Sequence, residues 1–271
     1  MRQITPLELP DVERHPPLGG IPEFRTIEMH LFDVDSVYQR DLSQRSMKLI
    51  SRIVGQWDWS RFKPPVVSRA GERFIVIDGQ HTLIAAATLG FTELPCMVVA
   101  IETQADQASS FVGHNRDRIA VTPTQLHVAN VAAGDEMALE VHKVCERAGV
   151  RILQHPPSFG RFKPGETMAV SAIRSLVSRR FPFGARQVLE VVVKGGITPV
   201  SITAIRAVEA LLFEPEFKGT ITAERITLVM LAKGESLARE VETFAVTHRL
   251  PQWRAMASVI FINRKIRGEA A

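Results

Sequence analysis

Residues 78–82, Asp-Gly-Gln-His-Thr, gather side chains and backbone suited to holding an anion. They stand between an apolar run, Phe74-Ile75-Val76-Ile77, and a helical pattern over 83–89. The first N–H groups of a helix have no intrahelical acceptor, and the helix dipole is positive there. A glycine just before such a start lets a phosphate or carboxylate come close to the backbone. Gly79 is therefore a candidate anion cradle, with Gln80 and His81 adding donors and Thr82 a hydroxyl. A tight turn would use the same glycine for purely structural reasons, and both readings stand. Asp78 is a candidate metal ligand, and equally a turn or cap residue.

These groups need a strand and a helix to place them. Residues 74–77 read as a strand paired with 66–67 through a turn at 69–72. The helix that follows closes at Gly90. Further strands are expected over 27–32 and 94–101, and a helix over 104–114. Met47, Ile50, Ile53 and Val54 keep helical spacing within 42–57, with Ser43 as the cap. Thr122-Pro123-Thr124-Gln125 joins a capping box to a proline at the first helical position. The helix begun there is expected to run to Arg147. Beyond residue 150, helical spacing returns over 168–177, 185–193, 201–212, 223–231, 236–245 and 251–266. The fold class expected is α+β: a small mixed sheet with helices, then a mostly helical domain. The expected division is an irregular Pro- and Gly-rich arm (1–26), an α+β domain (27–121) and a helical domain (122–271).

A second set of groups lies in the helical half. Arg161, Lys163, Arg174, Arg179, Arg180, Arg186 and Lys194 crowd one stretch, with Phe159, Phe162, Phe181 and Phe183 among them. Arg174, Arg179, Arg180 and Arg186 are candidate DNA contacts, because arginines neutralise phosphates in a salt-dependent way. The phenylalanines are expected chiefly in the core, with stacking on bases the alternative. Residues 185–193 and 201–212, around Gly195-Gly196, are candidates for a helix-turn-helix. The amphipathic segment 253–265 either docks on the core or mediates self-association, so a homodimer is open.

Composition excludes some classes. With 45% hydrophobic residues in 271, the chain can bury a sizeable core and is not of the disordered type. No apolar run reaches membrane-spanning length, and the first 20 residues lack a secretory apolar core. Cys96 and Cys145 show no metal-type spacing and read as reduced packing residues, which favours a cytoplasmic setting. A net charge of +4 permits a polyanionic partner without requiring one.

The order Tyr38-Gln39-Arg40, helix, Pro65-Val66-Val67, turn, Val76-Ile77-Asp78-Gly79-Gln80-His81, helix, Gly90, Pro95-Cys96-Met97-Val98-Val99 resembles the N-terminal domain of the ParB/sulfiredoxin-like superfamily. It looks most like the branch with an Asp-Gly-Gln-His-Arg motif, over about residues 27–130. The resemblance implies two segments that hold a nucleoside triphosphate, CTP or ATP, with Mg2+. The first is 79–82; the second is the stretch from His114 to Pro123, in which Asn115 and Arg118 keep the family spacing. Asp78 and Asn115 would then be metal-associated. Arg118 would bring a bidentate donor to phosphates that face the helix dipole. Thr82 stands where the family places arginine, and His114 where it places a metal-associated glutamate. Arg116 and Arg40 are candidates to supply the missing charge. The reactive cysteine of the sulfiredoxin branch is absent from the tetrad.

The reading that follows is a ParB-like DNA-associated protein of plasmid, phage or chromosomal context. Its N-terminal domain binds a nucleotide or phosphate, and its helical domain contacts DNA, placing it at the nucleoid. The alternative is an enzyme of the same superfamily, a metal-dependent nuclease or small-molecule phosphotransferase, with Asp78 as its catalytic carboxylate and Asp33, Asp35 and Asp117 as further acids. A third option is an interaction module whose site has decayed, for which Thr82 is the best sign.

Overall fold

The computed structural model describes residues 3–13, 15–37, 42–116 and 120–265. The chain divides into two compact units, Met1–Ile119 and Ala120–Ala271. It is α+β, with a mixed sheet of five strands in the first unit and helices dominating the second.

In unit 1 the sheet runs β1 (Glu23–Glu28), β5 (Glu93–Val99), β3 (Val66–Ala70), β4 (Arg73–Asp78), β2 (Phe32–Asp33) from edge to edge. β1 and β5 are antiparallel, β5 and β3 parallel, β3 and β4 antiparallel, and β4 and β2 parallel. The strand expected over 27–32 is displaced: β1 starts at Glu23, a turn of 3-10 helix follows at Met29–Leu31, and β2 then pairs with β4. Only Ile27 of β1 is buried, so its apolar pattern is faint and pairing with β5 decides where the strand lies. α1 (Gln44–Gly55) begins where the sequence indicated, with Ser43 Oγ accepting from Ser46 N at 3.1 Å. α2 (Gln80–Thr88) follows β4 directly, and α3 (Gln104–Arg116) follows β5. The core joins Ile27, Val67, Phe74, Val76, Leu83, Leu94 and Cys96.

Unit 2 opens with α4 (Pro123–Ala132), whose capping box is complete. The helix expected to continue to Arg147 instead breaks. Gly134 takes a positive φ of 78°, and Asp135 caps α5 (Glu136–Arg147), accepting from Ala138 N at 2.8 Å. A Gly-Asp pair is both a stop and a new start, which apolar periodicity alone passes over. A short ladder of β6 (Arg151–Ile152) with β7 (Glu166–Thr167) was not foreseen. The segments expected at 168–177 and 185–193 are the two helical stretches of α6 (Val170–Lys194), which is interrupted between them. The kink falls at Phe181, with φ 55° and ψ 171°, just before Pro182, which has no N–H to give the ladder. α7 (Ile202–Phe213), α8 (Ala223–Lys233), α9 (Ser236–His248) and α10 (Gln252–Ile262) complete the unit. The connection from α6 to α7, residues 195–201, exceeds the three- or four-residue turn of about a helix-turn-helix length. α10 docks on the core through Ala255, Met256, Val259 and Ile260, which lie with Ile173, Leu189, Ile205 and Ile226 in one cluster.

Both cysteines are free and buried, and burial pushes each thiol up to about 12, as expected of packing residues. Among the described residues, no helix is long and apolar enough to cross a membrane.

Candidate functional site

The seam between β4 and α2 is built by one glycine. Gly79 has φ 96° and ψ 15°, and is the N-cap of α2. This left-handed turn carries the chain from strand to helix within a single residue. Thr82 N and Leu83 N donate to Gly79 O at 2.9 and 3.0 Å. That leaves the amides of Gln80 and His81 without an intrahelical acceptor. A Cβ at position 79 would lie 2.9 Å from both Cα and Cβ of Pro65. The glycine is therefore demanded by packing as well as by φ, so the structural reason for it holds whether or not an anion also binds.

Asp78, Gln80, His81 and Thr82 are all partly buried at this seam. Beside Thr82 opens a cavity of about 240 Å³. Arg52 and Gln56 reach it from the end of α1, and Asp58, Arg61 and Lys63 from the loop that follows. Three cations thus face one carboxylate. That carboxylate is engaged: Asp58 Oδ1 accepts from Ser60 N at 2.8 Å and Ser60 Oγ at 2.7 Å, and Oδ2 lies 3.3 Å from Arg61 Nε. The Ser60 hydroxyl, foremost, holds the Asp58 carboxyl below its ordinary range.

Trp57 and Phe62 form the apolar wall of this cavity, within an aromatic cluster whose centroids lie 5.9 Å apart for Trp57 and Phe62 and 5.1 Å for Trp57 and Phe91. The Trp57 indole N–H is buried and meets no acceptor among the described residues. A buried donor left unpaired costs about 1–3 kcal/mol, which an acceptor on a ligand or a water would recover. Arg52, Arg61, Lys63 and Trp57 escaped the sequence reading. The available signal was the density of cations and aromatics over 52–63.

The other unit 1 candidates fall as follows. Asn115 Nδ2 donates to Phe111 O at 2.8 Å, one turn back along α3, and Arg116 is exposed at the end of that helix. Arg40, Arg118 and Asp117 lie outside the described residues. Asp33 is bound by Arg73, and Asp35 accepts from Gln104 Nε2 at 2.7 Å and Val37 N at 2.8 Å. Among the described residues, no three His, Cys, Asp or Glu side chains come together as a metal set.

In unit 2 the four candidate arginines are not alike. Arg174 is exposed. Arg186 Nε donates to Glu190 at 2.5 Å, one turn on. Arg179 and Arg180 both turn onto Glu209, which is 7% exposed, through bonds of 3.1 and 2.7 Å and of 2.9 Å. The phenylalanines expected in the core are mostly outside it: Phe159, Phe181 and Phe183 are exposed. Phe159 and Phe181 carry positive φ.

No family model matches the chain, and no curated protein matches it. Among solved structures, it is similar to a C-terminally truncated chromosome-partitioning protein ParB from Caulobacter crescentus complexed with CTP-gamma-S. Identity is 11%, TM-score 0.35, and coverage 88% of this chain and 98% of that one. It is also similar to a Pnob8-like ParB-N domain, at 12% identity and TM-score 0.30, covering 89% and 98%. At these values the likeness assigns neither family nor ligand, and the functional account rests on the chain's own residues.

Proposed function

We propose that the 78–82 seam and the cavity beside Thr82 bind the phosphates of a nucleoside triphosphate, CTP or ATP with Mg2+, in a ParB-like protein whose helical unit contacts DNA. The observation that carries this reading is the cluster of Arg52, Arg61 and Lys63 around a cavity that Thr82 lines. Thr82 has no charge of its own, and these neighbours supply what the arginine of the family motif would. Phosphate oxygens would accept from the amides of Gln80 and His81, which have no intrahelical acceptor. Asn115, Arg116, Arg118 and Arg40 complete the site in this reading. Mg2+ bound to a nucleotide takes phosphate oxygens and waters with about one or two carboxylates, and Asp78 at the strand end would be the residue to hold it.

Thermal unfolding tests the proposal. A ligand at a hundredfold its Kd stabilises by about 2.7 kcal/mol, so CTP or ATP raises the melting temperature and Arg118→Ala removes the rise. No shift with any nucleotide, with or without Mg2+, supports a decayed module instead. The DNA half rests on Arg174 and Arg186, with affinity falling steeply between low and physiological salt. Binding indifferent to salt removes it.

A further inference from the structure

A set of prearranged arginines lies within unit 2. α6, α7 and α10 enclose an open groove of about 520 Å³. Ser171, Ser175 and Arg179 follow one another at one-turn intervals along a single face of α6 and line it, with Arg180 beside them. Arg206 and Trp253 close it from α7 and α10.

Each guanidinium is held by a different device. Glu209 takes Arg179 through Nε and Nη2 and Arg180 through Nε, so one buried carboxylate fixes two forks. Arg180 also lies over the Phe213 ring, 5.0 Å from its centroid. Arg206 lies 4.8 Å from the centroid of Trp253 and makes no ion pair among the described residues. Arg254, 5.7 Å from the same ring, is tied to Glu216 at 2.8 Å. Half of the Arg179 side-chain surface stays open. Glu209 and Glu214 stand against three guanidiniums on the groove wall, which leaves it positive.

Fixed guanidinium forks match phosphate oxygens, and forks already immobilised lose little freedom on binding. A concave wall with donors from two helices suits a compact terminal phosphate better than the broad backbone of a duplex. The serine hydroxyls add neutral donors, and the indole offers an apolar edge to a base or sugar. We infer that this groove is a binding site for a phosphate monoester, with Arg179, Arg180 and Arg206 as its donors. The inference deepens the anion-binding side of the helical unit, and DNA contact through Arg174 and Arg186 would survive its failure.

Fluorine NMR on the full chain labelled with fluorotryptophan tests it. The sequence has three tryptophans, and Trp253 alone of them reports the groove, whereas Trp57 reports the seam. Titration with inorganic phosphate and with CMP is expected to move the Trp253 resonance saturably. Arg206→Ala is expected to weaken that response by about ten- to a hundredfold, as for loss of a charged hydrogen bond. Arg206→Lys restores the charge without the stacked fork and recovers part of it. A response to CMP alone makes the base indispensable; a response to both places recognition in the phosphate, and either supports the site. A Trp253 resonance that does not move, that moves equally with chloride at matched ionic strength, or that moves unchanged in Arg206→Ala overturns the inference. Movement confined to Trp57 also overturns it while leaving the seam reading intact.

Discussion

Gly79 and Glu209 show how far single residues are constrained. At Gly79 two independent demands meet, a φ of 96° and a Pro65 backbone that leaves no room for a Cβ. Left-handed backbone costs a non-glycine residue about 1–2 kcal/mol, and the clash adds to it. Gly79→Ala is therefore expected to lower stability by at least about 2 kcal/mol in urea unfolding. A neutral result would show that the strand-to-helix turn can relax. At Glu209, burial alone would raise the pKa, but the guanidiniums of Arg179 and Arg180 outweigh it and hold the carboxyl below its ordinary 4.5. Its stabilising contribution is complete above pH 4.5 and is lost as pH falls through the depressed folded value. Unfolding midpoints measured down the acid limb should drop below that point in the wild type and vary less in Glu209→Gln. The seam was legible in sequence because glycine, polar tetrad and helix start are contiguous. Arg52, Arg61 and Lys63 were not, because only packing of α1 and its following loop beside α2 brings them to Thr82. The groove over Trp253 was hidden for the same reason, since Arg179 and Trp253 stand far apart in the chain.

Among the elements, those with local signals matched their expected positions. α1 and α4 start at Ser43 and Thr122, where side-chain caps fix the boundary. Thr122→Ala is expected to cost about 1 kcal/mol and to speed exchange of the first amides of α4. Unchanged exchange there would mean that packing, not the cap, holds the helix end. Among elements set by tertiary pairing, β1 lies earlier than its pattern indicated and the β6–β7 ladder had no expected counterpart, because pairing partners are remote in sequence. α6 is the instructive case. Periodicity predicted two helices, and the non-helical backbone of Phe181 before Pro182 divides α6 into two stretches at that place. The φ and ψ of Phe181 belong to a region that suits glycine almost alone, at a cost of about 1–3 kcal/mol for other residues. Phe181 is 72% exposed, so little apolar burial offsets that strain. Phe181→Gly is expected to raise the melting temperature. A lower one would show that the ring makes a contact worth more than the strain.

On the scale of the whole molecule, two hydrophobic cores share no residue, one under the sheet and one among the helices. Residues 120–265 are accordingly expected to fold alone, with a cooperative melt followed by circular dichroism. A fragment without a cooperative transition would contradict that independence. A net charge of +4 in 271 residues is modest, so anion binding must come from where cations gather and not from bulk charge. The claim on which the functional account depends is that the opening turn of α2 receives phosphates. Amide hydrogen exchange at Gln80 and His81, with and without CTP or ATP and Mg2+, tests it most directly. The account predicts that exchange at these two amides slows on ligand addition, together with protection around Arg52 and Lys63. Exchange that stays unchanged there under saturating nucleotide would contradict it.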